Sequence, residues 1–308
     1  MNRFEFAFLM DPLDGIDIEK DTTYVMMREA ERRGHALLHF TWRDLYIDNG
    51  RVMGRVRSLH LNDSSELFSY GEAEDRELKG VSAIFIRTDP PFDMEYLYVT
   101  YLLGLIEKEV FIMNSPRGIR EANEKLYSLN FPEIVPENIV TNEPGRLKAF
   151  LKEVGGAMVV KPLDACGGLG VFALFKDDKN TNAILEMVTA NASRHILAQR
   201  YIPEIREGDK RLIVLDGEPV GAVNRVPGAD EHRANIHVGA LCEKAVVTER
   251  DRHICSVVSA RFAADGIHFA GLDIIGGLVT EINVTSPTGI QEINTLDNLR
   301  LEEAVIDF

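Results

Sequence analysis

The chain has 308 residues, 45% of them hydrophobic and 27% charged, the composition of a globular rather than a disordered protein. Its 49 acidic and 34 basic side chains leave a net charge of −15, and no Lys/Arg run concentrates positive charge, so nucleic acid is not an expected partner. At this length two domains, or one elaborated domain, are expected.

The charge-free stretch 96–106 falls short of the roughly 20 residues that span a bilayer. Arg3 is followed by Glu5 where a signal peptide needs its apolar region, so neither export nor membrane insertion is expected. Cys166, Cys242 and Cys255 have no Cys-x-x-Cys spacing and read as free thiols of a reducing cytoplasm.

In chain order, 4–9 reads as a strand and 20–33 as a helix, capped by Asp17 or Asp21 and stopped by Gly34. Strands at 36–40, 81–86 and 110–113 follow, with a helix at 94–108, while 50–79 reads as polar and irregular. Strands alternating with helices predict a parallel sheet with crossover helices. A helix at 117–129 leads to two proline breaks, and the pattern changes there. Beyond it, helices at 144–153, 182–191 and 249–265 lie among strands at 157–161 and 171–175 and later ones joined by tight turns, which predicts α+β structure with antiparallel sheet.

Three clusters carry chemistry. The first is Lys161-Pro162-Leu163-Asp164-Ala165-Cys166-Gly167-Gly168-Leu169-Gly170 between two strands. Glycines let backbone amides approach an anion, and a lysine at a strand end neutralises phosphate charge. No Gly-Lys-Ser/Thr follows and no helix comes next, so neither a P-loop nor a dinucleotide fingerprint is present. Alone, the segment reads equally as a phosphate-facing loop or a hairpin turn with a surface lysine. Cys166 reads as a small apolar filler.

The second cluster is the hairpin around Gly276-Gly277, which places Asp273, Glu281 and Asn283 among hydrophobes. Glu281 and Asn283 share a strand face, and oxygen ligands of this kind suit magnesium. A two-residue turn pairs 273 with 280 and separates the two acids. A three-residue connection centred on Gly277 pairs Asp273 with Glu281, with Cβ atoms about 5 Å apart. The metal-site reading therefore predicts the three-residue connection. The alternative, acids facing water, fits poorly beside Leu272, Ile274, Ile275, Ile282 and Val284.

The third cluster is a set of arginines, Arg87, Arg211, Arg225 and Arg233, suited to a substrate with more than one carboxylate. Two-residue pairing at the Asp216-Gly217 turn sets Arg211 and Arg225 on opposite faces. A shared pocket requires a bulge, or Arg225 beyond the strand end. The eight histidines show no metal spacing; His232 and His237 are five apart with no third ligand nearby.

Taken together, these segments resemble the bacterial glutathione synthetase family of ATP-grasp ligases. The resemblance rests on Arg87-Thr88-Asp89-Pro90-Pro91-Phe92-Asp93, Asn123-Glu124-Lys125-Leu126, Lys161-Pro162-Leu163-Asp164, Gly208-Asp209-Lys210-Arg211, Gly271-Leu272-Asp273-Ile274-Ile275 and Glu281-Ile282-Asn283-Val284-Thr285-Ser286-Pro287. It implies an N-terminal Rossmann-like parallel-sheet domain at 1–122 and an ATP-grasp domain at 123–308, the latter split into a central subdomain, about 123–202, and a C-terminal one, about 203–308. It also implies the reaction: γ-glutamylcysteine, glycine and ATP give glutathione, ADP and phosphate through an acyl phosphate.

By position, the resemblance assigns nucleotide contacts to Lys125, Lys161, Gly167, Gly168, Gln199, Arg200, Tyr201, Ile202 and Asp209. It assigns Mg2+ or Mn2+ to Asp273, Glu281 and Asn283, and catalysis to Arg211 and Arg225. Arg87, Arg233, Asn235, Ser286 and Thr288 fall near the peptide substrate. The turn at Gly167-Gly168 and the loop 227–244 are the expected lids. A cytoplasmic homo-oligomer, dimer or tetramer, is implied, with no nucleic-acid or membrane partner. The alternatives are a related ligase for another acidic peptide or amino acid, or a non-catalytic nucleotide-binding module. Ala165, Thr88, Arg200 and Gly239-Ala240 depart from the family pattern, and Ala165 fits the loop only with negative φ.

Overall fold

A computed structural model describes residues 3–62, 67–228 and 239–308. Its first sheet has seven strands: β1 (Glu5–Leu9), β2 (Ala36–Phe40), β3 (Leu45–Asp48), β4 (Arg51–Leu61), β5 (Phe68–Glu77), β6 (Ala83–Ile86) and β7 (Phe111–Met113). The order is β3-β4-β2-β1-β6-β7, with β5 on β4; β2, β1, β6 and β7 run parallel. Helix α1 (Thr22–Arg32) starts where the Asp21 carboxylate accepts from the Tyr24 amide at 2.6 Å, and α2 (Met94–Gly104) where Asp93 does the same for Tyr96 at 2.9 Å.

The region 50–79, expected to be irregular, is instead the long β4–β5 ribbon. Along β4 the buried Val52, Gly54 and Val56 alternate with exposed Arg51, Arg55 and Arg57. Pairs such as Arg55 opposite Asp75 compensate charge across the ribbon. High charge on one face of an edge ribbon reads as loop when polarity is weighed without period. The helix expected at 117–129 is also divided, into α3 (Pro116–Glu121) and a single 3-10 turn (Tyr127–Asn130). Between them the Asn123 amide oxygen accepts from the backbone amides of Lys125 and Leu126, which turns the chain out of the helix.

The second sheet is antiparallel, in the order β10-β9-β11-β8: β8 (Asn138–Thr141), β9 (Ala157–Pro162), β10 (Phe172–Phe175) and β11 (Ile196–Arg200). Its own core lies under α4 (Pro144–Glu153) and α5 (Thr181–Val188), around Leu147, Met158, Leu174, Leu185 and Ile196.

The third sheet is antiparallel, in the order β14-β13-β12-β15-β16: β12 (Asp209–Leu215), β13 (Glu218–Val226), β14 (Leu241–Lys244), β15 (Phe269–Ile275) and β16 (Leu278–Asn283). Helix α6 (Glu249–Asp265) begins in a Thr248/Asp251 capping box, and α7 (Ile290–Asp297) and α8 (Leu301–Asp307) complete the chain. Ile213, Val223, Phe269, Ile290 and Leu301 pack into one core with Phe8, Met26, Met27 and Phe85, so the third sheet is built onto the first. Buried Asn114 reinforces this seam. Its Nδ2 donates to the carbonyls of Phe269 (2.7 Å) and Val284 (2.9 Å), and its Oδ1 accepts from the amides of His268 (2.8 Å) and Phe269 (2.7 Å).

Candidate functional site

Two β-bulges set which side chains meet. In the β15–β16 hairpin, Ile275 pairs with Leu278 and Ile274 with Val279, a two-residue turn at Gly276-Gly277 with φ of +56° and +74°. The register then shifts, and Asp273 lies opposite Glu281. The expected pairing is present, but the three-residue connection is not: Thr280 is the extra residue of a bulge. The β12–β13 hairpin repeats this device. Leu215 pairs with Glu218, the register shifts between Ile213 and Val214, and Arg211 then pairs with Val223 and Asp209 with Arg225. Arg211 and Arg225 therefore share one face, the bulge solution of the two foreseen.

Arg211, Asp273 and Glu281 form one row across β12, β15 and β16. Arg211 grips Asp273 in a fork, Nε to Oδ1 at 2.6 Å and Nη2 to Oδ2 at 3.2 Å, and its Nη1 donates to the Thr288 carbonyl at 3.1 Å. Gly271 makes room for it: a Cβ there would stand 3.0 Å from Arg211 Cδ and 3.1 Å from Pro287 Cβ. Arg225 Nη2 lies 2.9 Å from Asp273 Oδ1 and 2.6 Å from Asp209 Oδ2. Asn283 Nδ2 donates to Asp273 Oδ2 at 3.3 Å.

Burial would raise the Asp273 carboxyl, but Arg211 and Arg225 outweigh it and hold it at about 2. Asp209 goes the other way, pushed by burial up to about 6 against the pull of Arg225. From β9 of the second sheet, Lys161 Nζ reaches Glu281 Oε1 at 3.2 Å, and Lys125 donates to the Glu124 carboxylate and to the Ala165 carbonyl. Against burial, Lys161 and Lys125 keep Glu281 below the ordinary carboxyl range, whereas burial and then the Glu281 charge raise Glu124.

Arg211, Arg225, Asp273, Glu281 and Glu124 border a cleft of about 1120 Å³, lined also by Gly167, Asn283, Ser286 and Thr288. Gly167, Gly168 and Gly170 carry the loop at φ of +62°, +79° and +71°, while Ala165 stays outside the positive-φ region, as its side chain requires. Of the strand-edge residues, Gln199 is buried with Nε2 unpartnered, and Arg200 Nε donates to Glu137 at 2.6 Å. The Tyr201 amide donates to Ala157, and Ile202 abuts the Gly276 turn.

Arg87 stands apart from this lining. It is buried, with Nε on Thr23 (2.9 Å) and Nη2 on the Pro287 carbonyl (3.0 Å). Arg233, Asn235, His232 and His237 lie outside the described residues, as does most of the loop 227–244. Sequence reasoning missed Glu124, Asp89 and Asp11 as cleft residues. Glu124 had a signal, its place beside Lys125 in the polar Asn123-Glu124-Lys125 turn. Among the described residues no three His, Cys, Asp or Glu side chains gather as a metal site. The oxygen donors at hand are Asp273 and Glu281, a direct cross-strand pair, and the Asn283 amide.

Comparison with known proteins bears on both halves of the chain. A family model described as prokaryotic glutathione synthetase, N-terminal domain, matches residues 4–120, and one for the ATP-grasp domain of the same enzymes matches 124–298. Glutathione synthetase of Synechococcus elongatus is 41% identical over 98% of this chain and 97% of its own. That of Gloeobacter violaceus is 42% identical over 99% and 96%. Among solved structures, D-cycloserine synthetase DcsG superposes with a TM-score of 0.69 at 15% identity, covering 98% of this chain and 99% of its own. A RimK domain ATP-grasp protein from Sphaerobacter thermophilus gives 0.63 at 16% identity, covering 99% and 98%. The fold is that of the ATP-grasp proteins.

Proposed function

The chain belongs to the prokaryotic glutathione synthetase family, and from that premise we infer that it is an ATP-dependent ligase: it joins γ-glutamylcysteine to glycine through an acyl phosphate and releases glutathione, ADP and phosphate. The observation that carries this reading is the row Arg211–Asp273–Glu281, held on one face by two bulges and met at Glu281 by Lys161, with the Lys125 charge also bearing on Glu281.

A carboxylate is a poor electrophile until a phosphoryl group turns one oxygen into a leaving group. That transfer asks the protein for positioning and charge neutralisation rather than covalent help. Lys125 and Lys161, already clustered with carboxylates, are suited to phosphate oxygens. Buried Gln199 with its unpartnered donor, and the segment through Arg200, Tyr201 and Ile202, support a role at the adenine, with Gly167 and Gly168 closing over the phosphates and Asp209 completing the nucleotide contacts. Arg211 and Arg225 hold the donor carboxylate and then the oxyanion formed when the glycine amine attacks. Arg87, Ser286, Thr288, Arg233 and Asn235 belong to the peptide side of the same proposal.

The donor set of Asp273, Glu281 and Asn283 is all oxygen and suits a hard cation, Mg2+ or Mn2+. When bound, such an ion supplies Lewis-acid neutralisation of phosphate charge.

The domain division stays at 122/123 with subdomains at 123–202 and 203–308, supported by the family segments and the separate sheets. Among the described residues no helix is long and apolar enough to cross a membrane. We place the enzyme in the cytoplasm, consistent with its three free cysteines, and as a homo-oligomer without nucleic-acid or membrane partners.

Isotope transfer tests the acyl phosphate. With 18O in the donor peptide's terminal carboxylate, one label appears in the released phosphate. Unlabelled phosphate contradicts the route.

A further inference from the structure

Helix α2 is uncharged and largely apolar on every side. No charged residue occurs from Tyr96 to Ile106, yet only one face of the helix is covered. Tyr96, Val99, Leu103 and Ile106 belong to the core under the first sheet, with Ile84 and Ile112. On the opposite face Met94 is 56% exposed, Tyr98 51%, Tyr101 54% and Leu105 62%. A helix that is hydrophobic all round belongs between two layers, and a contiguous apolar face left in water marks a contact site.

The four exposed side chains form one stripe. At 3.6 residues per turn, positions 94, 98, 101 and 105 fall within about 60° of one another. Leu105 follows the last residue of α2 in the same right-handed geometry, φ −69° and ψ −23°, so the stripe is unbroken. Arg120 holds Tyr101 in place. Its guanidinium stands 4.4 Å from the ring centre, and its Nη1 donates to Thr100 Oγ1 at 3.4 Å.

The spacing names the occupant. Intervals of four, three and four residues are those of a coiled-coil seam, which packs two helices at about 20°. They read the same in both directions, and so does the chemistry: aliphatic, tyrosine, tyrosine, aliphatic. A second copy, related by a two-fold axis between positions 98 and 101, therefore sets Tyr98 on the partner's Tyr101 and Met94 on the partner's Leu105. Such a contact is isologous and closed.

Size and charge agree with a second copy. Side chains of roughly 200 Å² each, half exposed, give the stripe roughly 400 Å². A standard interface buries about 800 Å² on each partner, about 65% of it apolar in homodimers, so the stripe supplies most of that apolar share. Two chains of net charge −15 repel each other least where an uncharged face meets its like. An anionic membrane surface would call for a basic border, whereas the charges within 95–109 are Glu95, Glu107, Lys108 and Glu109.

We propose that the outer face of α2 is the self-association surface of this protein, an antiparallel helix pair about a two-fold axis. The proposal rests on the homo-oligomer reading above and deepens it by naming the surface and its register.

Sedimentation velocity at micromolar concentration compares the wild type with Tyr98→Asp. The wild type is expected at two chain masses or a higher even multiple, and the variant at half the wild-type mass. Like charges facing each other across the axis should weaken self-association by about 100-fold or more. Position 98 is half-exposed in the single chain, so the circular dichroism of the variant should match that of the wild type.

Disulfide cross-linking with copper phenanthroline tests the register. The double variant Met94→Cys/Leu105→Cys should cross-link into dimers, and each single variant no more than the wild type. In the antiparallel pair two copies of position 94 lie about 16 Å apart along the axis, and a disulfide needs Cβ atoms about 4 Å apart. A wild type that sediments as a single chain overturns the homo-oligomer reading, and the pairing with it. A Tyr98→Asp variant of wild-type mass, or a double variant that cross-links no better than the single ones, overturns the α2 pairing and leaves the homo-oligomer reading standing.

Discussion

Asp273 and Glu281 face each other as a direct cross-strand pair although the turn joining their strands, taken alone, puts them on opposite faces. The extra residue Thr280 restores the pairing, and its hydroxyl donates to the Asp273 carbonyl at 3.3 Å. The two acids share a wall and differ in what holds them, so their substitution should have different consequences.

Glu281→Gln keeps the shape and a hydrogen-bond acceptor for Lys161 while removing one charge. Turnover is expected to fall by about 100-fold or more, with a thermal midpoint near that of the wild type, as for loss of a preorganised electrostatic contact. Near-normal kcat would refute a role for this charge in phosphoryl transfer.

Asp273→Asn should instead unfold the protein more easily. It leaves Arg211 and Arg225, 10% and 4% exposed in their side chains, without the carboxylate they share. Stranding buried charge costs about 3–5 kcal/mol, which a denaturant titration with unchanged slope would show. A loss below about 1 kcal/mol would mean that water reaches the guanidiniums.

How far these contrasts were legible in the sequence depends on the kind of signal. The spans of α4 and α6 follow directly from Pro144, the Thr248 cap and Gly266, because caps act locally. Asp273, Glu281, Asn283 and the arginines could be singled out as polar residues in apolar runs. Their common face could not, since a single bulge residue reverses parity and nothing local marks Thr280 or the shift near Val214. The β4–β5 ribbon was hidden by its arginines. The bridge from Asn114 to β15 was hidden for another reason: it joins residues more than 150 positions apart.

Gly271→Ala tests the close approach beside Arg211. The added methyl meets Arg211 Cδ at 3.0 Å and Pro287 Cβ at 3.1 Å, both at the edge of what real contacts allow. Overpacking of this kind costs about 1–3 kcal/mol, and displacement of Arg211 should lower kcat/KM by about tenfold or more. Wild-type kinetics in this variant would show that Arg211 tolerates another position.

Acid stability should be governed by a group outside the cleft. Glu29 of α1 is buried and bonded to Arg32, Arg33 and Arg300, tying α1 to the start of α8. Arg32, the largest influence, and Arg33 outweigh burial and lower its carboxyl from 4.5 to about 2. A depressed folded value means stability that is fully present above the unfolded value of 4.5 and lost as pH falls towards 2. Asp273 adds to the same limb between 3.8 and about 2. Glu29→Gln should therefore be less stable at neutral pH and show a shallower loss across that window. An acid limb as steep as that of the wild type would contradict the assignment.

The most direct measurement is ADP release with ATP and magnesium, adding γ-glutamylcysteine and glycine separately and then together. The account predicts ADP formation that requires both and glutathione appearing in step with it. ADP released at the same rate without glycine, or only with a different peptide and amine, would contradict it.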